Sequence, residues 1–434
     1  MRCLRVVISL VLVCAACEAA WSQAVTLVSR GSPEGRTPIA VPPFGSSPGN
    51  EALGQQLAAI LAADLQFTGL FSVLGPEAYP REFKGFGPDA ASIDFDAWRK
   101  TAAEDLVYGY VTVEGQQIVA ECRLFDILTV RPVLGQRLRV DLRAPRRLPH
   151  KFADEIVLSL TGVPGVASTR ICLSGKVSGA KEIYLADYDG ANAKRLTEFG
   201  AITIQPHFSP DGAKIVFLSY KDRYPFLYIL DVATGQTRPF SKQVGLNAAP
   251  AWSPDGNVLA LVLSKDANPE IYLQNADGAQ LRRVTNNKWV DMSPTFDPSG
   301  RKIAFVSDQA GAEQICVMGI DGTNPQRLSF QGGRAYDPAW SPDGKYIAYV
   351  VDKAGDGLEI YAMDADGKNP RRLTDSHGGN ESPSWSPDSR HLMFASTRSG
   401  QSELWTVTLE TGDERRVPNL EMSCYSPSWG PRLP

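Results

Sequence analysis

Between Pro206 and Pro427 one phrase returns six times, at steps of 44, 44, 44, 45 and 44 residues. It reads Pro-His-Phe-Ser-Pro-Asp-Gly from Pro206 and Pro-Ala-Trp-Ser-Pro-Asp-Gly from Pro250 and Pro338. From Pro294 it is Pro-Thr-Phe-Asp-Pro-Ser-Gly, from Pro383 Pro-Ser-Trp-Ser-Pro-Asp-Ser, and from Pro427 the truncated Pro-Ser-Trp-Gly-Pro. A fixed period of this length marks an array of units that bury their apolar faces only by stacking on one another.

Alternating apolar runs and turn residues divide each unit into four strands. The first carries Pro-x-Trp or Pro-x-Phe and ends in Ser-Pro-Asp-Gly, where proline presets the turn and glycine accepts the positive φ that follows. The second is apolar and β-branched or aromatic, as in Lys214 to Ser219 and Tyr346 to Val351. The third begins at Glu182, Glu270, Glu359 and Glu403, and the fourth at Arg195, Arg283, Arg327 and Arg372. Four strands per period make a propeller blade, and the aromatics Phe208, Trp252, Phe296, Trp340, Trp385 and Trp429 read as core between blades.

Arg170 to Ser174 has the character of a second strand with no first strand before it, and Pro427-Ser428-Trp429 supplies the missing one. The expected fold class is therefore a small N-terminal α/β domain followed by a C-terminal six-bladed β-propeller, closed by pairing of the C-terminal strand with the first blade. The hairpin register sets Cys172 against Pro427, which puts Cys424 out of reach of a disulfide with Cys172.

Arg2 and Arg5, the apolar run Val6 to Val13 and the small residues through Ser22-Gln23-Ala24 predict a secretory signal over 1–24. A lipoprotein reading at Cys17 is the weaker one, because Cys14 stands where an aliphatic residue is usual. No other stretch approaches the roughly 18 apolar residues of a membrane helix. Cys3, Cys14 and Cys17 leave with the signal, and Cys122, Cys172, Cys316 and Cys424 read as buried free thiols.

Residues 25–165 lack the repeat and read as the α/β domain, with 166–434 as the propeller. Strands are expected at Pro38 to Val41, Phe71 to Leu74, Leu106 to Val113, Gln117 to Asp126 and Arg137 to Leu142. Helices are expected from an Asn50 cap, at Phe95 to Ala103 and at Leu148 to Leu160. The first places Leu53, Leu57, Ile60, Leu61 and Leu65 on one face. The basic run Arg143, Arg146, Arg147, His150 and Lys151 reads as the solvated start of the last helix.

No catalytic, cofactor or metal constellation emerges. Gly45-Ser46-Ser47-Pro48-Gly49 imitates a nucleophile elbow, but Pro48 lacks the N–H that would hold an oxyanion. Gly85-Phe86-Gly87-Pro88 is a poor phosphate loop for the same reason. The four histidines have no metal-ligand spacing, and the Asp-x-Asp-Gly turns lack the distant glutamate of a calcium loop. A formal charge of −4 offers nucleic acid no basic surface.

The loops entering each first strand crowd the channel mouth, vary most between units and suit protein recognition. They supply the candidate partner-binding residues Gln205, Leu246, Asn247, Ala249, Met292, Ser293, Tyr336, Asp337, Glu381 and Ser382.

The order of parts resembles the TolB family of the Tol–Pal cell-envelope system. The carrying phrases are the signal, His150-Lys151-Phe152-Ala153-Asp154-Glu155, Leu160-Thr161-Gly162, Thr169-Arg170-Ile171, Asp187-Tyr188-Asp189-Gly190 and Phe305-Val306-Ser307-Asp308-Gln309-Ala310-Gly311. The resemblance implies a periplasmic, non-enzymatic monomer without cofactor. Its propeller mouth would dock the lipoprotein Pal, with Asn247, Ala249, Met292 and Ser293 foremost. Its mature N-terminal segment, with Val25, Thr26, Leu27 and Val28, would engage TolA. Two alternatives stay open: a propeller gating a peptidase of the prolyl oligopeptidase or tricorn type, and a small-ligand-binding propeller.

Overall fold

The computed structural model describes residues 35–353, 355, 357–375 and 378–432. The expected signal and the segment Val25 to Val28 lie outside the described residues.

The N-terminal domain is one sheet with two helices on one face. Its elements in order are β1 (Thr37–Ala40), β2 (Gly45–Ser46), α1 (Glu51–Phe67), β3 (Phe71–Leu74), α2 (Phe95–Trp98), β4 (Asp105–Glu114), β5 (Gln117–Asp126), β6 (Arg131–Asp141) and α3 (Arg147–Thr161). Strand order is β3-β1-β4-β5-β6, with β2 beside β4. Strand β1 runs parallel to β3 and β4, while β4, β5 and β6 form an antiparallel meander.

Leu57, Leu61 and Leu65 of α1 and Phe152, Ile156 and Leu160 of α3 are buried against Val107, Val111, Ile118 and Leu138 of the sheet. A glycine is needed at Gly109, where a Cβ would lie 2.4 Å from the Phe44 ring. On the opposite face Trp98, Phe86 and Phe95 cover Leu106, Tyr108 and Phe125.

Two elements differ from expectation. Helix α2 stops at Trp98 and does not reach Ala103. Thr101 donates its hydroxyl to the Trp98 carbonyl at 2.7 Å and accepts the Ala103 N–H at 3.2 Å, local bonds that compete with helix continuation. Strand β6 starts at Arg131, six residues before the expected Arg137, because Pro132 and Gly135 mask its strand character.

The rest of the chain forms six four-stranded sheets. Blade 1 takes its inner strand, Ser423–Trp429, from the carboxyl end and pairs it with Arg170–Lys176, followed by Glu182–Asp187 and Lys194–Arg195. Blades 2 to 6 are continuous, with inner strands Thr203–Phe208, Asn247–Trp252, Asp291–Phe296, Arg334–Trp340 and Asn380–Trp385.

The closing register agrees with extrapolation as far as Tyr425↔Ser174. It then slips by one, so Cys172 faces Ser428 and not Pro427. All four described cysteines are buried free thiols.

Trp385 and Trp429 are 6% and 7% exposed, while Phe208, Trp252 and Trp340 are half-buried. Some of these indoles also tie neighbouring blades. Trp252 Nε1 donates to the His207 carbonyl at 3.3 Å and Trp385 Nε1 to the Ala339 carbonyl at 2.9 Å. Trp429 Nε1 donates instead to Thr169 Oγ1 at 2.8 Å, fixing the closed end.

The N-terminal domain packs on the face carrying the Ser-Pro-Asp-Gly turns. The Phe67 ring lies 5.0 Å from Tyr188, 4.6 Å from His391 and 6.2 Å from Trp429, centroid to centroid. Arg415 Nη1 donates to the Gln66 carbonyl at 2.6 Å, and Arg36 pairs with Asp413. Arg146 pairs with Asp189, and His150 is 4% exposed beside Asp64. These two members of the expected solvated run are therefore interface residues: tertiary partners on α1 and the propeller fix their environment, not their place in a basic stretch.

No helix among the described residues is long and apolar enough to cross a membrane.

Candidate functional site

With one face covered, the open end of the channel is where each inner strand begins. A recurring distortion shapes it. In every inner strand two residues face one on the next strand, with register slips at Ile204/His207, Ala248/Ala251, Met292/Thr295, Tyr336/Ala339, Glu381/Ser384 and Tyr425/Ser428. These are β-bulges, which bend a strand and re-aim side chains.

The first residue of each bulge is left-handed: Gln205 (φ 54°), Ala249 (46°), Ser293 (49°), Asp337 (50°), Ser382 (55°) and Ser426 (44°). That conformation costs a non-glycine residue about 1 kcal/mol or more. Its recurrence at six equivalent places makes it a built feature. The second bulge residue is always proline, which has no N–H to leave unpaired at the break.

The six left-handed residues line the upper part of a channel of about 610 Å³. Ala249 donates its N–H to Gln205 Oε1 at 3.3 Å, and Ser293 Oγ lies 3.5 Å from Asp337 Oδ1, so ring members touch across blades. Below them the walls are prolines, Ala251, Ala339, Thr295, Ser384 and His207.

The His207 side chain lies in the throat but is exposed to the channel. Burial, together with the nearby Glu381 carboxylate, raises Asp337 to about 6 against the opposing hydrogen bond from Ser293.

The loops that enter the ring are held by a repeated polar clamp. Glu182 accepts the Thr197 hydroxyl at 2.5 Å and the Gly200 N–H at 2.8 Å, and Thr197 Oγ1 accepts the Ile183 N–H at 2.9 Å. Glu270 likewise takes Arg283 at 3.0 Å and the Asn287 N–H at 2.9 Å. The Glu and Arg-x-Thr signatures are thus structural, giving the mouth a rigid frame.

Of the sequence-derived candidates, Gln205, Ala249, Ser293, Asp337 and Ser382 come together in the ring, and Ser426 completes it. Met292, Tyr336 and Glu381 each precede a ring residue; Glu381 is exposed and the other two are half-buried. Leu246 is half-buried against the core of blades 2 and 3.

Asn247 is displaced from the expected role. It is 0% exposed and accepts the Ser241 hydroxyl at 2.7 Å and the Gln243 N–H at 2.9 Å. Its amide donates to the Gln243 carbonyl at 2.8 Å and the Gly245 carbonyl at 3.2 Å. Its polar capacity is spent on shaping the loop.

The sequence places the Tyr220 to Pro225 loop on this face, and Tyr224 is 64% exposed there; sequence reasoning missed the rest of the apolar rim, Val177, Ile202, Val244 and Phe330, which are 69%, 52%, 84% and 66% exposed on the mouth side. The Tyr220 N–H bonds the Ile202 carbonyl at 2.9 Å, joining two of these loops. The available signal was a large apolar residue in a loop between strands, where the strand pattern gives it no core to face.

Among the described residues no cluster of three or more His, Cys, Asp or Glu could hold a metal ion. Asp64 and His150 have the spacing of a catalytic dyad, but both are buried in the domain interface.

A family model described as the TolB beta propeller domain matches residues 157–433, and one described as the TolB amino-terminal domain matches 28–133. The chain belongs to the TolB family. Similar proteins include the Tol-Pal system protein TolB of Desulfosudis oleivorans, 37% identical over 217 residues, which are 49% of each chain. The Tol-Pal system protein TolB of Jannaschia sp. is 36% identical over 209 residues, 46% of each. The chain spans about half the length of the curated relatives it matches.

Among solved structures, TolB from Acinetobacter baumannii matches with a TM-score of 0.82 at 26% identity, covering 92% of this chain and 97% of that one. A putative TolB from Agrobacterium tumefaciens matches at 0.50 and 20% identity over 61% of this chain and 93% of its own, a likeness of fold. The TolB family is non-enzymatic.

Proposed function

We propose that the chain is a periplasmic docking component of the Tol–Pal system, joining Pal at the propeller mouth to TolA through the mature N-terminal segment around Val25 to Val28. In this role it supports outer-membrane integrity and constriction during division, and it acts as a monomer without cofactor.

The observation that carries the reading is the mouth: six equivalent strained residues on a rigid ring, bordered by exposed apolar side chains and facing away from the N-terminal domain. A rigid, partly apolar concave rim keeps the ordering cost of protein docking low. The experiment is capture of the purified periplasmic domain of Pal on immobilised chain. Wild type retains it and Met292→Arg loses it. Unchanged capture moves the interface elsewhere, and no capture by wild type rejects the reading.

A small-ligand propeller is the second reading, favoured by the 610 Å³ throat beneath the ring. Thermal stabilisation by sugars or short peptides, with no capture of Pal, would favour it.

A further inference from the structure

The outer edge of the N-terminal sheet has features that the mouth does not explain. Strand β6 is eleven residues long, packs on β5 and α3, and ends the sheet. The Leu142 N–H bonds the Gln116 carbonyl at 2.9 Å, and the register continues through Val140↔Ile118, Leu138↔Ala120 and Gln136↔Cys122. Antiparallel pairs alternate, so these residues direct their backbone groups to β5, while Gly135, Arg137 and Arg139 direct theirs outward. Those outward groups have no backbone partner among the described residues.

Folded proteins usually block such an edge, and β6 does so at its start, where Pro132 and a register slip at Leu124/Phe125 interrupt the ladder, but not from Leu134 onward. Here Gly135 sits in mid-strand, exposed, and nothing inside the fold calls for a glycine: a Cβ there would meet only Arg123 Cγ, at an ordinary 3.7 Å. A mid-strand glycine without an internal reason suits close approach of another backbone. A groove of about 480 Å³ lies alongside, lined by Glu121, Arg123 and 132–137.

Apolar side chains mark both ends of this edge. Leu128 and Val133 are 62% and 42% exposed at one end and Leu142 39% at the other. Between them the sheet face is basic. Arg137 and Arg139 share the single carboxylate of Glu114 at 3.5 and 3.4 Å, while Arg131, beyond the register slip, stands opposite Asp126 on the other face. Arg123 pairs with Glu121. Asp141, on the same face, is taken by Arg143. Arg123, Arg137, Arg139 and Arg143 against Glu114, Glu121 and Asp141 leave this face positive by one charge.

We infer that the free edge of β6 is a second docking site, which takes an extended acidic peptide segment of a partner as an added strand. Main-chain bonds from Gly135, Arg137 and Arg139 give affinity, and carboxylates of the partner complete the pairing that Glu114 only half supplies. A second copy of the chain is the poorer occupant, since antiparallel self-pairing centred on Arg137 would oppose like charges. This inference is independent of the mouth.

The test uses the mature chain and a fluorescein-labelled ten-residue probe alternating valine and glutamate, at about 0.1 M salt. Anisotropy should report saturable binding, weakened about tenfold or more in R137E/R139E. A valine–lysine probe should not bind. Gly135→Pro, which removes an outward N–H without touching the β5 ladder, should also weaken binding while the thermal midpoint is retained. On wild type alone, amide exchange at Gly135, Arg137 and Arg139 should slow when the glutamate probe binds. No binding, equal binding of the lysine probe, protection confined to other strands, or a dimer in sedimentation that Gly135→Pro dissolves would each overturn the proposal.

Discussion

Tyr188 of the propeller donates its hydroxyl to Asp64 Oδ1 of α1 at 2.7 Å, a bond that crosses the domain interface. The other oxygen of the same carboxylate meets His150 Nδ1 of α3 at 2.8 Å. Burial raises the Asp64 pKa against the hydrogen bonds from His150 and Tyr188. Burial alone would lower His150, but the Asp64 carboxylate outweighs it and the ring is raised. Arg146 adds its pairing with Asp189 beside them. The docking of the two domains thus depends on a buried polar cluster as well as on Phe67 and Trp429.

Asp64→Ala strands a buried imidazole and a buried hydroxyl together and should cost about 3–5 kcal/mol. Tyr188→Phe removes one hydrogen bond and should cost about 1–2 kcal/mol. Urea unfolding followed by tryptophan fluorescence gives both numbers. Two equal small losses would mean the cluster is not a buried network.

The pH dependence is fixed in sign. Asp105, at the start of β4, is raised from 3.8 to about 7 by burial and by the carboxylates of Asp126 and Glu104. A folded pKa above the unfolded one gives stability that is complete below 3.8 and lost as pH rises to about 7. His150, raised above 6.5, loses its contribution in the same direction at higher pH. Asp105→Asn should therefore raise the thermal midpoint at pH 8, recovering a few kcal/mol, and change little at pH 4. A midpoint unchanged at pH 8 would contradict the buried charge.

His391 carries the opposite sign. Burial between Phe67 and Trp429 lowers it to about 4, so its contribution is present above 6.5 and lost as pH falls to about 4. His391→Phe keeps the ring stack and should flatten the acid limb of the stability profile. Retention of the full limb in the variant would assign it to carboxylates instead.

The ring residues store strain that substitution can read. Ala249→Gly should gain about 0.5–1 kcal/mol by relieving the left-handed conformation, net of the added freedom of the unfolded chain. Ala249→Val should lose more than that, because a β-branched residue resists positive φ. Equal midpoints for the two variants would deny the strain.

What the sequence made legible follows from range. Blade count and ring closure were readable because proline, tryptophan and the turn residues recur at a fixed step, and each acts locally. The bulge was not, since a residue preceding proline is expected to be extended, whereas Gln205 and its five equivalents are left-handed. That one-residue slip is why Cys172 faces Ser428. Asn247 misled because an asparagine in a variable loop looks available, and only the curled loop shows its amide enclosed. His150 and Arg146 misled because their partners, Asp64 and Asp189, are distant in sequence.

The most direct test of the docking account is hydrogen–deuterium exchange of the chain with and without the periplasmic domain of Pal. Protection should concentrate in 200–205, 244–249, 290–293, 334–337, 380–382 and 423–426, the loops that frame the ring. Protection confined to the Ser-Pro-Asp-Gly face or to the N-terminal domain, with these loops unchanged, would contradict it.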